Sequence, residues 1–167
     1  NYSHWDANKS LSEWLNENNI PGIYGIDTRA LTKKLREKGV MLGKIVYDKD
    51  LDFYDPNKEN LVDQVSTKKI IKYDKGNLRI VLVDCGAKNN IIRCLINRNV
   101  SVTVVPWDYD FNEIDYDGLI ISNGPGDPKL CLETINNVKG AMKKEKPIFG
   151  ICLGNQIMAL ASGADTY

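Results

Sequence analysis

Apolar and polar positions follow one rhythm before about residue 77 and another after it. After Asn77, short apolar runs alternate with segments of helical spacing. Residues 78–84 form an apolar run rich in β-branched side chains, which predicts a buried strand. Within 89–99, Ile91, Ile92, Leu95 and Ile96 fall on one helical face. Strands are expected at 100–105, closed by Pro106, and at 117–122. Leu132, Ile135, Val138 and Met142 mark a further helix, ending in a lysine-rich turn before Pro147. Residues 148–151 read as a strand and 157–161 as the continuation of a helix. Strands that alternate with helices and are apolar throughout predict an α/β fold: an open, mostly parallel sheet with helices on both faces.

The earlier part is less regular. Ser10-Leu11-Ser12-Glu13 is a capping box opening a helix with Leu11, Trp14 and Leu15 on one face. Asn18 and Asn19 end it, and residues 20–26 read as extended or turning. Asp27 or Thr28 caps a second helix with Leu31 and Leu35, which stops at Gly39. Residues 40–47 are compatible with a strand. From 48 to 77 the chain turns polar, with Asp55-Pro56-Asn57 and Asp74-Lys75-Gly76-Asn77 as turn signals and a short strand possible near 69–73. The expected organisation is therefore part of a smaller N-terminal domain at 1–47, a linker region at 48–77, and a second domain at 78–167.

Composition narrows the function classes. The 22 basic and 22 acidic residues cancel, so no basic excess points to nucleic acid or a membrane surface. No apolar run is long enough to span a bilayer, and no signal peptide opens the chain. The four cysteines (Cys85, Cys94, Cys131 and Cys152) show no C-x-x-C spacing, which argues against zinc or a disulfide framework and suits a reducing compartment such as the cytoplasm.

The sharpest chemical signal lies at Gly150-Ile151-Cys152-Leu153-Gly154-Asn155-Gln156. A strand, a tight turn with a nucleophile at its apex and a helix make a nucleophile elbow, here with cysteine at the apex. The unpaired N–H groups and partial positive charge at the next helix's N-terminus favour the thiolate, which is the nucleophile. Cys85, Cys94 and Cys131 lack such a setting and read as structural. The loop Asn123-Gly124-Pro125-Gly126-Asp127-Pro128 follows the preceding strand. It has neither the Gly-Lys-Ser/Thr of a phosphate loop nor a third dinucleotide-binding glycine. Its backbone N–H groups and that of Leu153 suit an oxyanion site. The single histidine is His4, so a cysteine–histidine mechanism must recruit His4 or a histidine outside these residues. His4 reads as a surface residue and Trp107 as loop packing.

These residues carry a family resemblance. The Gly150–Gln156 stretch resembles the nucleophile motif of class I, triad-type glutamine amidotransferases, whose fold is flavodoxin-like. Ser122-Asn123-Gly124-Pro125-Gly126-Asp127-Pro128 is similar to their oxyanion loop in the form seen in carbamoyl phosphate synthetases. Ile26-Asp27-Thr28-Arg29-Ala30-Leu31-Thr32 and Leu35-Arg36-Glu37-Lys38-Gly39 look like the N-terminal domain of that enzyme's small subunit. Val104-Val105-Pro106-Trp107-Asp108 points toward the eukaryotic multifunctional pyrimidine-synthesis form. The resemblance implies glutamine hydrolysis through a thioester on Cys152, with Gly124, Gly126, Leu153 and Gln156 holding glutamine or its oxyanion. It implies no metal and no cofactor in this chain. The implied partner is a synthetase subunit or domain that uses ATP and magnesium to make carbamoyl phosphate, in pyrimidine or arginine synthesis. Asn155 stands where the family usually has histidine, and the family's catalytic His and Glu lie downstream of the elbow. The resemblance thus implies a fragment, truncated at both ends and lacking glutaminase activity alone. The rival readings are a non-catalytic docking or regulatory module of an ammonia-dependent synthetase and an amidotransferase serving another synthase.

Overall fold

Local capping decides where the first two helices begin. In the computed structural model, which describes residues 2–166, helix α1 (Leu11–Glu17) is opened by a complete capping box. The Glu13 N–H donates to Ser10 Oγ at 3.2 Å, and the Ser10 N–H donates to the Glu13 carboxylate at 2.6 Å. These bonds satisfy helix-end donors that have no intrahelical partner, and the Ser10 N–H, helped by the Ser10 hydroxyl, holds the Glu13 carboxyl below its ordinary range. Helix α2 (Thr28–Lys38) is capped by Asp27, which accepts from the Ala30 N–H at 2.9 Å, and ends at Gly39 with φ of 80°. Residues 40–47 form no strand. Their apolar content suits one, but a strand persists only where its backbone groups find a ladder, and no partner strand lies among residues 2–53. No residue in this stretch is buried. Helices α1 and α2 belong to the first of two structural units, which ends at Phe53; the second begins at Tyr54.

The second unit is built on a five-stranded sheet of order β1-β3-β2-β4-β5. Strand β1 (Ile71–Tyr73) runs antiparallel to β3 (Ser101–Pro106) at one edge. Strands β2 (Arg79–Asp84), β4 (Gly118–Ile121) and β5 (Ile148–Gly150) continue the sheet in parallel with β3. The short helix α3 (Leu61–Val65) precedes β1 and is capped by Asn60, so residues 54–77 contribute both a helix and an edge strand to this unit.

Period-two alternation sorts the strand side chains into two layers. Val81, Val83, Leu119 and Ile121 face α5 (Leu132–Ala141) and α6 (Leu153–Ala161), and pack with Phe111, Ile135, Val138, Leu153 and Ile157. Leu82, Val102 and Val104 face α4 (Asn89–Ile96) and pack with Ile91, Ile92 and Leu95. Leu82 and Val83 are both fully buried, and each contributes on the order of 1.5–3 kcal/mol relative to exposure. Trp107, in the turn just past β3, packs into the first layer. Its N–H donates to Ser66 Oγ, its Nε1–H to Asp63 Oδ1, and its carbonyl accepts from Thr134 Oγ1. It thereby joins α3, β3 and α5.

An ion cluster closes the amino ends of the strands. Arg79 pairs with Asp115 at 2.8 Å and Asp117 at 3.0 Å, and Asp117 also accepts the Arg79 backbone N–H at 2.8 Å. A cavity of about 580 Å³ opens beside it, lined in part by Lys72, Thr103, Tyr109 and Tyr116. The carboxyl ends of β2, β4 and β5 lie at the opposite edge, where ligands bind in open α/β sheets. Among the described residues, no helix is long and apolar enough to cross a membrane.

Candidate active site

Three loops gather at those carboxyl ends, one each after β2, β4 and β5. The loop after β5 is the tightest. Ile151 still follows the sheet, its N–H donating to the Ile121 carbonyl at 2.9 Å. Cys152 then turns to φ 53°, ψ −109°, a backbone state that costs a non-glycine residue on the order of 1–3 kcal/mol. Helix α6 begins at the next residue, four positions before the apolar run that signals it in sequence. The bend requires glycine at 150, because a β-carbon there would meet the Gly154 carbonyl carbon at 2.5 Å and the Asn155 nitrogen at 2.6 Å. Only Ile151 separates β5 from the strained Cys152, which leads directly into α6, and the Cys152 side chain is left exposed at a helix end rich in free donors.

The other cysteines have a different character. Cys85 and Cys131 are buried. Burial pushes the Cys131 thiol up to about 11 and the Cys85 thiol higher still. Both are held as thiols near neutrality, which makes them inert. Cys94 lies exposed on α4.

The loop after β4 packs against the elbow. A β-carbon on Gly124 would lie 2.6 Å from Leu153 Cδ2 and 2.1 Å from the Cys85 carbonyl oxygen, so only glycine fits between the first turn of α6 and the loop after β2. No acceptor among the described residues takes the N–H of Gly124, Gly126 or Leu153. The elbow and this loop thus present unpaired donors of the kind that stabilise a developing oxyanion. Gly126 lies farther along, at φ 79° beside Leu61 of α3. Gln156 is exposed one turn into α6, its N–H reaching the Cys152 carbonyl at 3.3 Å. Asn155 is exposed beside it.

The loop after β2 supplies the scaffold, a part that the sequence pattern does not announce. Asp84 accepts the N–H groups of Gly86 at 2.9 Å, Ala87 at 2.8 Å and Thr67 at 2.8 Å. It thereby fixes its own loop and the chain leaving α3. Asn123 accepts the Lys88 N–H at 3.1 Å and donates to the Gly86 carbonyl at 3.0 Å, cross-linking the loops after β2 and β4. An aspartate two residues before glycine is a common turn signal, but its third partner, Thr67, is distant in sequence. Among the described residues, no group of three or more His, Cys, Asp or Glu side chains is placed to hold a metal ion.

Comparison with known proteins agrees with this geometry. Residues 81–167 match the family Glutamine amidotransferase class-I, and residues 1–45 match Carbamoyl-phosphate synthase small chain, CPSase domain. The chain is 52% identical over 187 residues to the multifunctional protein pyr1-3 of Dictyostelium discoideum, covering 99% of this chain and 8% of that protein. It is 55% identical over 174 residues to the multifunctional protein CAD of Squalus acanthias, covering 100% and 8%. It is 52% identical over 170 residues to carbamoyl-phosphate synthase (ammonia), mitochondrial, of Rattus norvegicus, covering 99% and 11%. The chain therefore spans about a tenth of the length of these curated relatives.

Proposed function

The chain belongs to the class I glutamine amidotransferase family, with a carbamoyl-phosphate synthase small-chain segment at 1–45, and on that premise we propose that it is the glutaminase component of a carbamoyl phosphate synthetase. The observation that carries this reading is the backbone of Cys152, strained at the apex of the elbow with its side chain exposed. Such strain persists only where the surrounding structure imposes it.

In this reading the Cys152 thiolate attacks the side-chain amide carbon of glutamine. As the C–S bond forms, the carbonyl π electrons move to oxygen, where the N–H groups of Gly124 and Leu153 receive the charge. Collapse of this intermediate breaks the C–N bond and, with a proton delivered to nitrogen, releases ammonia. The γ-glutamyl thioester left on Cys152 is cleaved by water to glutamate, and the thiol is restored, a two-step covalent route. Gly126 and Gln156 hold the substrate beside the nucleophile. The ammonia passes to a synthetase subunit or domain, which joins it to bicarbonate with ATP and magnesium. This chain itself contributes no cofactor. Its thiols, free among the described residues, suit a reducing compartment, and we place it in the cytoplasm.

A second reading has a specific observation in its favour. The chain is as similar to a synthase whose name specifies ammonia as to the multifunctional proteins. It would then be a docking or regulatory module without its own chemistry. The exposed cysteine at the strained apex opposes this. The match at 1–45 opposes an amidotransferase of some other synthase. Treating the full-length protein with a glutamine-analogue electrophile decides between enzyme and module. Stoichiometric labelling at Cys152, blocked by glutamine, is expected of the enzyme. Absence of labelling together with absence of glutamate release supports the module.

A further inference from the structure

The buried residue that touches all three site loops is Ser122, which is 0% exposed. Its N–H donates to the Val83 carbonyl of β2 at 3.1 Å, and its own carbonyl accepts the Gly154 N–H of α6 at 3.1 Å. Any amino acid other than proline would make those two bonds. The hydroxyl makes two more. Ser122 Oγ accepts the Cys85 N–H at 2.9 Å and donates to the Asn123 carbonyl at 2.8 Å. The first bond anchors the loop after β2, and the second fixes a single peptide unit.

That peptide unit joins Asn123 to Gly124. In a trans peptide the carbonyl and the following N–H point in opposite directions, and no peptide bond of the described chain is cis. Holding the Asn123 oxygen therefore fixes the direction of the Gly124 N–H, one of the two donors assigned to the oxyanion. Glycine at 124 leaves this peptide free to rotate when that restraint is absent. The Ser122 carbonyl meanwhile fixes the first turn of α6, whose Leu153 N–H is the other donor. One buried side chain and its own backbone thus set the relative position of both donors.

We infer that Ser122 is the positioning residue of the oxyanion site, its hydroxyl holding the Asn123–Gly124 peptide so that the Gly124 N–H faces the reacting carbonyl. This rests on the glutaminase reading above. Ser122 does not touch substrate; it acts through the peptide it holds. Loss of its hydroxyl should lower kcat, because the donor matters most when charge develops on oxygen. It should leave the nucleophile and KM nearly unchanged.

The test uses the full-length protein with Ser122→Ala, Ser122→Cys and Ser122→Thr. Ser122→Cys keeps a single, slightly larger γ atom in place while weakening the hydrogen bonds, and it carries the test if Ser122→Ala fails to fold. Glutamate release by the alanine and cysteine variants should fall by about a hundredfold in kcat, with KM within about threefold. Alkylation of Cys152 by iodoacetamide should keep its wild-type rate. Ser122→Thr, which retains the hydroxyl, should stay within about tenfold of wild type. A kcat within threefold of wild type in Ser122→Cys would overturn the inference. So would a threonine variant as poor as the cysteine one, or Cys152 alkylation that falls in step with kcat. A crystal structure of Ser122→Ala, or of Ser122→Cys in its place, gives a readout independent of turnover. The Asn123–Gly124 peptide should be rotated there, and an unmoved peptide overturns the inference. Absence of glutamate release by the wild-type protein overturns the glutaminase reading instead.

Discussion

Gly124 and Leu153 meet so closely that a β-carbon on the glycine would lie 2.6 Å from the leucine Cδ2. On its other side the Cys85 carbonyl oxygen would be only 2.1 Å away. The leucine end can shift, but the carbonyl belongs to a backbone held by Ser122 Oγ. Gly124→Ala must therefore shift the loop after β4 off the Cys85 carbonyl and out of its place beside the elbow. Glutamate release by the full-length variant is expected to fall by about 10²–10³-fold, the cost of losing one oxyanion donor. Carbamoyl phosphate synthesis supplied directly with ammonia should be preserved. Equal loss of both activities would show that the substitution unfolds the unit rather than displacing the loop.

The four thiols should react in two pairs. Burial raises the Cys131 thiol to about 11 and the Cys85 thiol further, and both side chains are inaccessible. Cys94 and Cys152 are exposed. Alkylation followed by peptide mass spectrometry should modify Cys94 and Cys152 first, with Cys85 and Cys131 appearing only in denaturant. Early modification of Cys85 would mean that the loop after β2 opens in the native state.

Much of the second unit was legible because its physical requirements are local. A strand covered on both faces must be apolar along its buried length, as Ile80 to Val83 are, and a sharp strand-to-helix turn needs glycine at Gly150. The start of α6 was hidden because Gly154, Asn155 and Gln156 carry no apolar periodicity; the positive φ of Cys152 ends one element and starts the next. Residues 40–47 mislead for the opposite reason. Their composition suits a strand, but pairing depends on a neighbour that composition does not supply. The roles of Ser122, Asp84 and Asn123 were illegible as well. Each depends on partners from loops brought together only by the sheet order, and for Asp84 the decisive partner is Thr67, 17 residues away.

Acid should weaken the amino-end ion cluster in a defined direction. Hydrogen bonds from Arg79 hold the Asp117 carboxyl below its ordinary value of 3.8. A depressed carboxylate contributes stability that is fully present above the unfolded value and is lost as pH falls through the folded one. Asp117→Asn should therefore lower Tm near neutral pH, and the gap to wild type should close progressively below about pH 4. Thermal melts across that range check it. A gap that is constant with pH would assign the effect to the Arg79 backbone bond rather than to the charge.

The histidine count sets the last expectation. Release of ammonia requires a proton at the leaving nitrogen, and thioester cleavage requires one removed from water. The sequence has one histidine, His4, which lies in the first unit and accepts the Asp6 N–H at 3.2 Å through Nδ1. The second unit, which holds Cys152, carries none. A polypeptide of residues 1–167 alone should therefore form the thioester slowly and fail to turn over. Its steady glutamate release should be at least about a hundredfold below that of the full-length protein, the lower end of what positioned acid–base catalysis supplies. Steady release abolished by Cys152→Ala would show that another group within these residues serves as the base. Substituting His4 in the same polypeptide would then identify or exclude it.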